Sequence, residues 1–255
     1  MKKSLAYILL LLVLGSIAGA DEITVAAAAD LNYALKDLAE RFEHKTQNHV
    51  TLSFGASGNI YSQIQNGAPF DLFFSADVAY PKKLAAAGRL ETSSLRTYAI
   101  GRLVLWVPTS AKLDAAGLQM KLLLQPQVKK IAIANPSHAP YGHAAMAALA
   151  YFGLADKVAA KLVTGENVSQ AAQFVQSGNA QAGLLPLSLA MSPEMKTAGQ
   201  YWELPAASYP EIRQAAGILS ASKHKQAAEA FLDYIGSPEA KAVLEEYGFR
   251  VPAPK

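Results

Sequence analysis

Short apolar runs alternate along the chain with segments whose apolar residues recur every three or four positions. Residues 23–28 form the first run and read as a strand, and Leu31, Ala34, Leu35, Leu38 and Phe42 follow at helical spacing. Residues 50–54 predict a second strand, and Ile60 and Ile64 open a second helix. Residues 70–75 predict a third strand, followed by a helix over 81–87 that Gly88 stops. A second set begins with a strongly β-like run at 103–107. Strands are then predicted at 131–134, 161–164 and 182–185. Helices are predicted at 144–152, ended by Gly153, and at 168–175, ended near Gly178. Ala227, Phe231 and Ile235, then residues 242–247, return to helix. This alternation predicts an α/β fold in which mostly parallel sheet is covered by helices. No internal repeat, low-complexity segment or long linker interrupts it. Two α/β sets suit two lobes sharing a hinge near residues 101–103 and again near 205–213; the same pattern also fits one continuous sheet.

The first residues break the pattern. Lys2 and Lys3 precede an apolar run at 5–14, and Ser16-Ile17-Ala18-Gly19-Ala20 places small residues where a signal peptidase reads. This is the layout of a cleaved signal peptide, with the mature chain expected to begin at Asp21. The run is short for a membrane span, which takes about 20 residues. The sequence holds no cysteine, so an exported product would rely on its core rather than on disulfides, and a lipid anchor on a cysteine is excluded. A freely diffusing exported protein suits a periplasm. The formal charge of +3 falls to +1 once Lys2 and Lys3 are removed, and no run of like charges stands out, so nucleic acid is not an expected partner.

Four places share a strand, a tight turn of small or polar residues, and a helix start: Ala27 to Leu31, Phe54 to Asn59, Asn135 to Gly142, and Gly165 to Val168. In a parallel α/β sheet such turns lie at the carboxyl ends of strands, where ligands bind. Converging helix starts offer unpaired N–H groups and partial positive charge, which makes an anion site without a cationic side chain. Ser57 stands at one of these starts. Its hydroxyl can cap its own helix or donate to an anion oxygen. Asp30 is awkward in such a place, because an ionised carboxylate only accepts hydrogen bonds and repels an anion. It is expected to cap its helix and leave backbone donors facing the ligand. His138 and His143 lack the carboxylate or cysteine company of a metal site. Ser220-Ala221-Ser222-Lys223 matches the Ser-x-x-Lys acylase pattern without any supporting motif.

At these turns the sequence resembles the periplasmic molybdate-binding proteins of ABC importers. The resemblance lies in Ile23 to Leu31 with Ala34-Leu35, in Ser53-Phe54-Gly55-Ala56-Ser57, and in Gln63 to Asp77 with its Gly-Ala-Pro-x-Asp-Leu-Phe-x-Ser-Ala-Asp core. It continues through Ile131 to Gly142, Glu166-Asn167-Val168 and the terminal Tyr247-Gly248-Phe249. The resemblance covers essentially the whole mature chain. It implies a two-lobed, hinge-closing binding fold of type II, with residues 21–102 and 207–255 in lobe I and 103–206 in lobe II. A molybdate or tungstate oxyanion would be held between the lobes by the Ser57 hydroxyl and the backbone N–H groups of Tyr141 and Val168. Asp30 stands where many relatives have serine, which leaves a backbone donor there. Pro186 stands where many have tyrosine and offers neither hydroxyl nor N–H. The Tyr141 phenol is a candidate to compensate.

A cage made only of donors suits a fully ionised dianion and mismatches a protonated phosphate. The resemblance thus implies a monomeric carrier that closes on its anion and delivers it to the membrane permease of an ABC importer, with no cofactor and no catalysis. Its rivals are a binder of another tetrahedral oxyanion such as sulfate, and an exported hydrolase. A regulator's effector domain fits neither the signal peptide nor the absence of a DNA-binding segment.

Overall fold

The computed structural model describes residues 21–252; the expected signal peptide and its cleavage after Ala20 lie outside the described residues. The chain builds two five-stranded sheets rather than one. In lobe I, β1 (Glu22–Ala28), β2 (His49–Gly55), β3 (Leu72–Ser75) and β4 (Arg96–Gly101) are joined by β10 (Ile212–Ile218), in the order β2-β1-β3-β10-β4. In lobe II, β5 (Leu103–Pro108), β6 (Ile131–Ala134), β7 (Leu162–Gly165), β8 (Ala182–Pro186) and β9 (Gly199–Glu203) run in the order β7-β6-β8-β5-β9. The chain therefore crosses between lobes at Arg102, and again in the stretch between Glu203 and Ile212.

The sheets are mixed rather than mostly parallel. β1 pairs parallel with β2 and β3, and β6 parallel with β7 and β8. β10 pairs antiparallel with β3 and β4, and β5 antiparallel with β8 and β9. The three strands that periodicity does not predict, β4, β9 and β10, all belong to the antiparallel part. β4 and β9 are partly exposed strands at the ends of their sheets, and β10 is rich in small residues and carries Arg213 and Gln214.

Side-chain alternation sorts the core of lobe I into two layers. Ile23, Val25 and Ala27 of β1 and Leu72 and Phe74 of β3 face the helix Asn32–Thr46 and the two terminal helices, Lys225–Ile235 and Pro238–Glu246. Ala26 and Phe73 face the opposite layer, with Ile60, Ile64 and Leu84. The terminal helices are anchored on lobe I by Phe231, whose ring meets Phe42 edge to face at 5.0 Å. A fully buried phenylalanine of this kind is worth about 3–5 kcal/mol against alanine. In lobe II every residue of β5 is buried, as a strand covered on both faces requires.

Candidate functional site

The four strand-to-helix turns lie together. β1 ends at Ala28 and the chain enters a 3-10 turn, Ala29–Leu31, that leads into the helix Asn32–Thr46. β2 ends at Gly55, before the helix Ser57–Gln65. β6 leads to the helix Pro140–Tyr151, and β7 to the helix Val168–Gln176. All four ends line one small cavity, with about 10 Å³ of room for the centre of a water-sized sphere, bounded by Ala29, Asp30, Ser57, Tyr141 and Val168 among others. The first two turns come from lobe I and the last two from lobe II. Larger cavities lie elsewhere; one is open to solvent around Phe70, Asp71 and Ser222, away from these helix starts. There Ser222 donates to Asp71 Oδ1 at 2.6 Å, which ties the loop after β10 to the residue before β3.

The lobes are drawn together over the cavity. Gly58 N–H donates to the His138 carbonyl at 2.9 Å, Ser188 Oγ donates to the Asp30 carbonyl at 2.7 Å, and Asn59 bonds the Glu166 carboxylate. His138 Nε2 lies 3.0 Å from the Glu166 carbonyl, which gives this histidine a structural task at the rim. Gly58 is required for this approach. A Cβ there would lie 2.8 Å from His138 Cβ, from its carbonyl oxygen and from the Tyr80 hydroxyl.

Donors face the cavity for reasons that can be traced residue by residue. Pro140 occupies the first turn of its helix and has no N–H, so Tyr141 supplies that helix's first donor. Asn167 caps the fourth helix by accepting from Ser169 N and Gln170 N at 2.9 and 3.1 Å, which leaves the Val168 N–H outside the cap. Ser57 is 1% exposed. It is not a cap, since its helix has no side-chain cap bond; its Oγ accepts from Ala76 N at 3.0 Å instead. That contact uses an acceptor lone pair and leaves the hydroxyl hydrogen free to donate.

Asp30 departs from its sequence expectation. Its side chain does not cap the first helix, because the turn is 3-10 with Ala28 at the cap position. The carboxylate turns instead into a buried polar cluster. Oδ2 accepts from Gln214 Nε2 at 2.6 Å, while Oδ1 has no hydrogen-bond partner. Burial pushes the Asp30 pKa up to about 6, with hydrogen bonding from the Gln214 and Tyr141 side chains opposing the rise. The Tyr141 phenol accepts from Gln214 Nε2 at 3.2 Å, and Tyr98 donates to Gln214 Oε1 at 2.7 Å. Both phenols have pKa values raised well above the ordinary range, by burial first and then by the neighbouring Asp30 charge. They are neutral donors throughout the physiological range. The Tyr141 phenol thus belongs to this cluster, where Gly101 makes room for it: a Cβ at Gly101 would fall 2.1 Å from its oxygen. Pro186 pairs with Leu103 in the strand beside the crossing and does not line the cavity.

Gln214 is the residue that sequence reading misses. A neutral amide on a strand of small residues carries no motif, and its importance rests on being 0% exposed between two tyrosines and a carboxylate. Tyr98, which donates to the Gln214 side-chain carbonyl, is likewise a partner that no local pattern marks.

Two lobes joined by two crossings and closed over a small cage of backbone donors define a hinged, two-lobed ligand-binding protein. The family model for bacterial extracellular solute-binding proteins matches residues 23–250, and the chain belongs to that family. Its relatives include the molybdate-binding protein ModA of Azotobacter vinelandii, 43% identical over 232 residues, covering 91% of each chain. ModA of Rhodobacter capsulatus is 38% identical over 91% of this chain and 89% of its own. Among solved structures, the periplasmic molybdate-binding protein of Azotobacter vinelandii superposes with a TM-score of 0.85 at 37% identity, covering 91% of this chain and all of that one.

Proposed function

We propose that this protein captures molybdate or tungstate between its lobes in the periplasm and hands it to the membrane permease of an ABC importer. It does so as a monomer, without catalysis, cofactor or nucleic acid. The observation that carries the reading is the cavity between the lobes, where the Ser57 hydroxyl and four helix starts converge with no basic side chain on the wall. Such a wall rewards an anion that brings only acceptors. The protein atoms meet the oxygens of the ligand and leave the metal's own coordination intact. Both lobes supply donors only when closed, so the anion favours the closed form, which is the form an importer would read. The molybdate-binding relatives named above support the choice of anion.

A second reading, another tetrahedral oxyanion, is favoured by Asp30. An ionised carboxylate on the wall is an acceptor that a hydrogen-bearing oxyanion such as hydrogen phosphate could use. Isothermal calorimetry of the chain from Asp21 onward against molybdate, tungstate, sulfate and phosphate separates the two. Tight binding of molybdate and tungstate is expected; heat from sulfate or phosphate alone would replace the first reading by the second.

A further inference from the structure

Asp30 sets a condition on any anion that enters this cage. Asp30 is 1% exposed and is among the residues that line the cavity, and its carboxyl keeps Oδ1 without a partner. The groups packed against it are neutral on every side: Gln214 from β10, Tyr98 from β4, and Tyr141 from the helix Pro140–Tyr151. The Ser188 hydroxyl meets its backbone carbonyl. The charged and titratable side chains of Asp77, Tyr80, His138, His143, Glu211 and Arg213 line a neighbouring cavity, and the Glu166 carboxylate bonds Asn59 across the lobes. Asp30 takes part in no ion pair among the described residues, and no cationic group figures among the causes that set its pKa.

We propose that the cleft binds a fully ionised oxyanion together with one proton, which resides on the Asp30 carboxyl and lets it act as a hydrogen-bond donor in the occupied cage. Ionised, Asp30 places a buried negative charge beside a dianion and contributes only acceptors. Protonated, it removes that repulsion and gives the orphaned carboxyl edge a hydrogen to donate. The empty protein's Asp30, with its pKa already pushed up to about 6 by burial, needs only a modest further push to hold the proton at neutral pH. Anion binding supplies that push. Affinity therefore falls as pH rises above about 6, approaching tenfold per pH unit for as long as the complex keeps the proton.

The inference rests on the molybdate reading for its ligand, and the test keeps the two apart. Wild-type protein and Asp30→Asn are titrated with sodium molybdate and, in parallel, sodium sulfate, at pH 6 and pH 8. Each titration is run in two buffers of different ionisation enthalpy, which yields the number of protons taken up. The expected wild-type result at pH 8 is uptake of about one proton per anion, with affinity up to about 50-fold weaker than at pH 6. Asp30→Asn, whose amide donates without a proton, is expected to take up none, to bind equally at both pH values within about twofold, and to exceed wild type at pH 8. Molybdate binding by wild type without proton uptake at pH 8 overturns the proton linkage and leaves the molybdate reading intact. Sulfate binding with uptake, and no molybdate binding, overturns the molybdate reading and keeps the linkage. Binding of neither anion by wild type at either pH overturns both. The wild-type proton count needs no variant, so a misfolded Asp30→Asn does not shield the proposal.

Discussion

Replacing Asp30 by asparagine should stabilise the empty protein at high pH, by an amount that the structure sets. In the unfolded chain this carboxyl titrates near its ordinary value of 3.8; folded and buried, it titrates at about 6. Between those values the folded protein holds a proton that the unfolded chain has released, so stability falls as pH rises through that window and levels off above pH 6. A shift of about two units corresponds to about 3 kcal/mol, at about 1.4 kcal/mol per unit. Asp30→Asn keeps the size and an acceptor oxygen for Gln214 to approach after an amide flip, and it removes the buried charge. The variant should therefore gain close to 3 kcal/mol on wild type at pH 8 and much less at pH 4. For a chain of this size that is a rise in melting temperature of roughly 6–12 °C at pH 8. Urea denaturation of both proteins, ligand-free, followed by circular dichroism at several pH values from 4 to 8, measures the difference. A stability gap that stays constant across the range would refute the claim that burial raises this carboxyl's pKa. A gap that grows toward acid would reverse its sign.

Three further outcomes follow from named contacts. Ser57→Ala should weaken molybdate binding by about 1–3 kcal/mol in calorimetry, because a buried donor to the anion is lost and the Ala76 N–H is left unpaired; unchanged affinity would remove Ser57 from the cage. Gly58→Ala should cost about 1–3 kcal/mol in affinity through the clash with His138 and Tyr80, and X-ray scattering should show the saturated variant less compact than saturated wild type. Phe231→Ala should lower stability by about 3–5 kcal/mol in urea titrations while leaving molybdate affinity close to wild type at temperatures where the variant stays folded, since the ring lies in the core of lobe I and not on the cavity wall. Mass spectrometry of the exported protein should give a chain beginning at Asp21.

The parallel half of each sheet and the four turns were legible because they carry strong periodic signals. Ile23, Val25 and Ala27 alternate with a second buried face, and Gly55-Ala56-Ser57 and Asn167-Val168 mark helix starts by their composition. Of the antiparallel half, β5 was legible and β4, β9 and β10 were not. Tyr201 is exposed in β9, where one face meets solvent, and β10 reads Ile-Arg-Gln-Ala-Ala-Gly-Ile, a run whose small residues have little intrinsic strand preference. Its place is decided by neighbours from distant parts of the chain, Ser75 and Phe74 on one side and Ala99 and Thr97 on the other. The same holds at the site. Ser57 was marked by the turn that carries it, and Tyr141 and Val168 came from the resemblance; all three line the cavity. Asp30 was located, but its side chain's direction was not, because the partner that turns it, Gln214, lies 184 positions further along the sequence. Local capping rules favour the nearest N–H groups, and here a long-range amide wins.

The place of β10 between β3 and β4 has a consequence for the order in which the molecule can be assembled. Every strand of lobe II lies between Leu103 and Glu203, so that lobe can complete its sheet from one uninterrupted stretch. Lobe I cannot: its sheet has a vacant slot until residues 212–218 arrive, and its Phe231 layer comes later still. For a chain that emerges amino end first, the lobe encoded in the middle is finished before the lobe encoded at the start. Gln214, on the last strand to be inserted, then joins Asp30 to Tyr141, so the cage receives this polar contact only after both lobes' other strands have been made.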